Sequence, residues 1–255
     1  MSGALQGVKV LEIGSYVTGP YAGMLLGDLG AEVIKVENKP YGDPFRGWGR
    51  TVLNPTFCSL NRNKKSITLN LKTNEARDIF LRLADDADVI IENLRPGSVD
   101  GLGIGYETVR ARNPRIVYCS ISGFGSEGPY AQLPAYDTIG QAMGGLLSLL
   151  TDLDDPKPMG ISVADHLTGI FASYGILAAL HGRTITGEGQ LVETSLLQSM
   201  VSFVQENAAN YFEESRVPRR DTRPRGPQAH CFVAGDGLPL DRKSTRLNSS
   251  HVLIS

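Results

Sequence analysis

Residues 8–37 constrain the fold more than any other stretch. Val8-Lys9-Val10-Leu11-Glu12-Ile13 reads as a strand and 14–19 as a loop. Pro20 suits the first turn of a helix that carries Met24, Leu25 and Leu26 and stops at Gly30. Glu32-Val33-Ile34-Lys35-Val36-Glu37 is a second strand. Strand, short loop, helix and strand within about thirty residues make a βαβ unit, whose two strands must run parallel.

The rest of the chain repeats this alternation. Strands are predicted at 66–71, 88–92, 115–120 and 190–193. Helices are predicted at 73–84, capped by Thr73 or Asn74, and at 106–112, 137–150, 166–183 and 196–212. Residues 38–55 and 123–134 read as loops, and 152–156 as an acidic turn. The expected fold is α/β, a Rossmann-like parallel sheet flanked by helices on both faces. Residues 1–215 form one large domain. The basic, Pro-rich stretch 216–228 reads as a linker, and 229–237 starts a new strand and turn, so 216–240 lead into a smaller domain. Residues 241–255 depart from the pattern and resemble a translated sequencing adapter read in frame, which marks them as a non-native tail. On that reading the natural protein continues past Leu240 and this chain is a fragment.

Composition narrows the function classes. A formal net charge of -2 offers no global field for nucleic acid or anionic membrane, so an anionic ligand needs a local cluster. Cys58, Cys119 and Cys231 are scattered and odd in number, which fits a reducing compartment and supplies no zinc set. His166, His181 and His230 lack metal-binding spacing, and no Ser sits in a GxSxG elbow. The N-terminus lacks a signal peptide's basic and apolar regions, and apolar stretches read as broken well short of a membrane span. A soluble cytoplasmic protein without membrane or nucleic-acid partners is expected.

Three features invite chemical readings. Glu37, ending the second strand, suits a ribose hydroxyl. The loop from Gly14 to Gly19 is not GxGxxG, however, and Tyr16 and Val17 would block a pyrophosphate, which argues against a dinucleotide. Arg46, Lys64, Lys65 and Lys72 flank strand ends, either as solvated surface or to neutralise a polyphosphate. Asp165 ends the small-residue approach Met159-Gly160-Ile161-Ser162-Val163-Ala164 and precedes a long apolar helical run. It reads as an N-cap, or as a carboxylate kept ionised by the helix dipole and able to attack an activated carbonyl.

An ordered set of tags adds to these readings. It comprises Leu5-Gln6-Gly7-Val8-Lys9-Val10-Leu11, Gly19-Pro20, Leu29-Gly30-Ala31-Glu32-Val33-Ile34-Lys35-Val36-Glu37, Gly42-Asp43 with Arg46, and Asn61-Arg62-Asn63-Lys64-Lys65-Ser66. It continues with Glu92-Asn93-Leu94-Arg95-Pro96-Gly97, Ser122-Gly123-Phe124-Gly125, Tyr136-Asp137 and Thr186-Gly187-Glu188-Gly189-Gln190. Together they resemble the class III coenzyme A transferases (the CaiB/BaiF family). The resemblance implies that Asp165 is the catalytic residue. It implies coenzyme contacts at Val17, Thr18, Asn38, Leu69, Asn70, Leu71, Lys72, Asn93, Leu94, Arg95 and Tyr136. Two positions depart from the family: Gly101 stands where members often carry Arg, and Asn38 where formyl-CoA transferase has a basic residue.

The resemblance also implies a function. Coenzyme A would move from an acyl-CoA to a carboxylic acid acceptor through a mixed anhydride and an aspartyl-CoA thioester on Asp165. Coenzyme A would be a substrate, with no permanently bound cofactor and no metal. The family's full-length members are interlocked homodimers with a glycine-rich loop in the smaller domain, which this chain would lack; the 255-residue chain is therefore expected to be inactive or poorly folded. The α-methylacyl-CoA racemases share the fold and the Asp but pair it with a His where this chain has Tyr136. His166, beside Asp165, keeps that alternative open.

Overall fold

The computed structural model describes residues 3–48, 54–219, 231–233 and 239–241. Most of the linker at 216–228 and nearly all of the proposed tail lie outside the described residues. The elements run β1 (Lys9–Ile13), α1 (Thr18–Asp28), β2 (Glu32–Glu37), α2 (Pro55–Leu60), β3 (Lys64–Thr68), α3 (Asn74–Asp85) and β4 (Val89–Glu92). Then come α4 (Ser98–Gly101), α5 (Tyr106–Arg112), β5 (Val117–Ser122), α6 (Asp137–Met143), α7 (Leu146–Leu150) and α8 (Val163–Thr186). β6 (Leu191–Ser195), α9 (Leu196–Phe203) and α10 (Gln205–Glu214) follow, and β7 (Cys231–Val233) pairs antiparallel with β8 (Pro239–Asp241).

Six strands form one sheet in the order β3-β2-β1-β4-β5-β6, every pair parallel. This is the doubly wound arrangement, whose strand order reverses between β1 and β4; a crevice opens there at the carboxyl ends. The central strands are apolar because helices cover both faces. Val89, Ile90 and Ile91 of β4 are wholly buried. One core packs α1 and α8 against the sheet through Ala22, Leu26, Ala172 and Ile176. The other packs α3 and α5 through Phe80 and Val109.

A buried charge network ties β1 to the loop after β2. Lys35 Nζ lies 2.7 Å from Glu12 Oε1 and 2.9 Å from Asp43 Oδ2, and Lys64 Nζ lies 2.7 Å from Glu12 Oε2. Burial opposes the charge on Glu12, but the two ammonium groups outweigh it and lower its pKa.

The structure corrects several sequence expectations. β3 begins and ends earlier than predicted, because the turn at Asn70 and the Thr73 cap of α3 terminate it. The predicted helix over 137–150 is two helices, broken where Gly145 takes φ +85°. The predicted helix over 196–212 breaks at Val204, which caps both α9 and α10. α8 starts at Val163, so Asp165 lies inside its first turn and does not cap it; the cap is Ser162, with no side-chain bond. By length and composition the 24 residues of α8 would also suffice to cross a bilayer, contrary to the expectation of broken apolar stretches. Here α8 is a core helix whose inner face buries Ala164, Thr168, Ala172, Ile176 and Ala179.

Candidate active site

The switch-point crevice is built from the loops after β1 and β4. Asn93 staples them together: its Oδ1 accepts from Ser15 N at 2.9 Å and its Nδ2 donates to Ser15 O at 2.9 Å. Tyr16 takes φ 63°, an unusual conformation for a bulky residue. Asp43 Oδ1 holds it there by accepting from Tyr16 N at 3.1 Å, and the charge network in turn anchors Asp43 on Lys35. The Tyr16 ring packs against Phe45, Trp48 and Tyr136.

Above the crevice lies a cavity of about 310 Å³ lined by Val17, Thr18, Asn93, Leu94, Arg95, Tyr136 and Asp165, among others. These seven predicted site residues come from four separate segments, which the fold brings together. Asn38, Leu71 and Lys72 line a second cavity of about 240 Å³ that shares Ser15, Pro44 and Leu94 with the first. Leu69 is buried and donates its N–H to Glu37 O, and Asn70 Oδ1 accepts from Lys72 N; neither lines these cavities.

Asp165 lines the first cavity where three helices meet. Its Oδ1 accepts from Thr18 Oγ1 at 2.6 Å, and its N–H donates to Asp137 Oδ1 at 3.2 Å. Asp137 is held by Gln141 Nε2 at 2.5 Å. The N-terminal turns of α1, α6 and α8 therefore meet around one carboxylate. The expectation that the helix dipole lowers its pKa is not met. Burial dominates and raises Asp165 to about 6; the Thr18 bond and His166 oppose this, while the neighbouring Asp137 charge adds to it. At neutral pH the carboxylate is ionised yet poorly solvated, the condition for a nucleophile that must shed water before attack.

Sequence reasoning missed the role of Asp137, although it stood in the Tyr136-Asp137 tag; no periodicity signals a contact between first turns of two helices. His166 does not line the cavity. Its Nδ1 is 2.6 Å from Ser162 O and its ring packs edge-on to Tyr21.

The basic residues sort into two groups. Arg46 forms two bonds to Glu37, at 2.7 and 2.6 Å, Lys64 is buried on Glu12, and Lys65 pairs with Glu32. Arg95 and Lys72 are exposed cations on the rims of the first and second cavities. Glu37 is also engaged by Ser66 Oγ and Asp43 N. These bonds outweigh the effect of burial and lower its pKa to about 2, so no free acceptor remains for a ribose.

Fold and site define a doubly wound α/β protein with a poised carboxylate at its switch point. A family model described as CoA-transferase family III matches residues 5–240. The chain belongs to that family. It is 41% identical over 242 residues to a succinyl-CoA–D-citramalate CoA-transferase of Chloroflexus aurantiacus, covering 91% of this chain and 60% of that protein. It is 42% identical over 220 residues to a succinyl-CoA:glutarate CoA-transferase of Mus musculus, covering 85% and 50%. A crystal structure of a CaiB/BaiF family protein from Brucella suis matches with TM-score 0.85 at 38% identity, over 93% of this chain and 65% of that one. The chain thus spans between half and two thirds of the length of these relatives.

Proposed function

We propose that a protein of the relatives' full length carrying this chain transfers coenzyme A from an acyl-CoA thioester to a carboxylic acid, with Asp165 as nucleophile. The observation that carries this reading is the Asp165 carboxylate, partly buried and raised to about 6, at a switch-point cavity. The names of similar proteins point to succinyl-CoA as donor and a small dicarboxylate such as glutarate or D-citramalate as acceptor.

Asp165 attacks the thioester carbonyl, the C–S bond breaks, and a mixed anhydride and the coenzyme A thiolate result. The thiolate attacks the aspartyl carbonyl, releasing the donor acid and leaving an aspartyl-CoA thioester. The acceptor carboxylate then attacks that thioester, giving a second anhydride, and the thiolate's return to the acceptor's acyl carbon regenerates Asp165. Lys72 and Arg95 suit the anionic end and reach of the coenzyme, with the thioester in the first cavity and the adenosine end toward the second. Asp165→Ala is expected to abolish transfer while leaving coenzyme A binding near normal. Retained transfer would refute the assignment.

The racemase alternative needs a second acid–base group facing the substrate. His166 is engaged with Ser162 and Tyr21, which speaks against it in that role. Incubation of a 2-methylacyl-CoA in deuterated buffer is expected to give no α-proton exchange; exchange would favour the racemase.

A further inference from the structure

We propose that Thr18 is a positioning residue for the nucleophile: its hydroxyl fixes Oδ1 of Asp165, leaves Oδ2 to attack, and then holds the negative charge that forms on Oδ1. The catalytic half of this proposal rests on the transferase reading.

The geometry is unusual for its place in the chain. A hydroxyl at a helix start ordinarily accepts a backbone N–H as a cap. The cap of α1 is Val17, with no side-chain bond, and Thr18 Oγ1 instead donates to Asp165 Oδ1 at 2.6 Å. An ionised carboxylate only accepts, so the direction of this bond is fixed. Thr18 is 6% exposed, so its hydroxyl has little access to water as an alternative partner. Its backbone is fixed, since a Cβ on Gly169 of α8 would lie 3.0 Å from Thr18 O. Among the described residues no hydrogen bond reaches Asp165 Oδ2. The two carboxylate oxygens are therefore unequal before substrate arrives.

The inequality has a chemical consequence. Oδ2 bonds to the thioester carbon and the thiolate leaves, so Oδ1 becomes the aspartyl carbonyl oxygen of the anhydride. When the thiolate adds to Cγ, the electron pair of that carbonyl moves onto Oδ1, where the Thr18 O–H already points. Re-forming the carbonyl breaks the Cγ–Oδ2 bond and releases the donor carboxylate. The Thr18 proton is never transferred. Removing one such oxyanion donor costs roughly 10²–10³-fold in rate.

Two measurements test this separately. Carboxyl-carbon NMR of a protein of the relatives' length, with no substrate present, reads Asp165 without any turnover, with Asp165→Asn for assignment. The midpoint is expected near 6, higher in Thr18→Val, and restored in Thr18→Ser; Thr18→Ala serves if the Val variant does not fold. Identical midpoints in wild type and Thr18→Val or Thr18→Ala would overturn the contact. In a protein of the relatives' length, Thr18→Val is expected to lower kcat for succinyl-CoA about 10²-fold with KM little changed, and Thr18→Ser to recover it. A raised KM with unchanged kcat would make Thr18 a coenzyme contact and overturn its oxyanion role. A wild-type protein without transferase activity would remove the transferase reading and the oxyanion role together, while the NMR result would still decide the contact.

Discussion

Asp165 and Glu92 are two carboxylates that burial shifts the same way, with different consequences. Asp165 faces a cavity and, on the proposed mechanism, must be ionised to attack. With its pKa raised to about 6, the rate of transfer is expected to fall below pH 6, approaching tenfold per pH unit. A pH–rate profile checks this, and an acid limb near 4 would contradict it. Glu92 is raised to about 7, chiefly by burial, despite bonds from Ser120 Oγ and Leu94 N. Its folded pKa lies above the unfolded value of 4.5, so between those two pH values the folded state holds a proton that the unfolded state has released. Stability is therefore lost as pH rises through this window. Thermal melts at pH 5 and pH 7.5 are expected to show a smaller drop in Glu92→Gln than in the wild type. Of this scale the sequence revealed identity but not environment. Asp165 was readable as a cap or a nucleophile, and only the packing of Thr18, Asp137 and His166 around it decides its pKa and its partners.

At the scale of elements, the site depends on how closely α1 and α8 approach. Gly169 makes this possible: a Cβ there would stand 2.9 Å from Tyr21 Cδ1 and 3.0 Å from Thr18 O, both on α1. Gly169→Ala is expected to push the helices apart, cost about 1–3 kcal/mol in chemical denaturation and weaken the Thr18–Asp165 bond. A variant as stable as the wild type would show the interface to be looser than described. The six parallel strands were legible because buried strands give apolar runs and βαβ units allow few connections. The helix breaks at Gly145 and Val204 were not, because the apolar pattern continues across both and tertiary packing sets the bend. The shift of β3 had a similar cause, since Ile67, Leu69 and Leu71 alternate beyond the last paired residue, Thr68.

For the whole molecule, the rim of the crevice is open. Trp48 and Tyr136 are 68% and 66% exposed, although both pack on Tyr16 beside the cavity. The chain spans between half and two thirds of its similar proteins, and an acyl anhydride must be kept from water. Isothermal titration of the 255-residue chain with coenzyme A is expected to show weak or no binding, and assays with succinyl-CoA no appreciable transfer. Robust turnover by this chain alone would contradict that expectation. The order of the tags made the family resemblance legible; those at Glu37, Gly42-Asp43, 93–96, Ser122-Gly123 and Tyr136 fall at the loops and strand ends that line the two cavities, whereas those at 5–11, 61–66 and 186–190 do not. Acceptor specificity was not legible, because nothing in these tags describes the space an acceptor would fill.

Mass spectrometry of a protein of the relatives' length carrying these residues, quenched during turnover of succinyl-CoA, tests the central claim most directly. A coenzyme A adduct on the peptide containing Asp165, absent from Asp165→Ala, is the expected result. An active protein that carries the adduct on another residue, or that turns over unimpaired as Asp165→Ala, would contradict it.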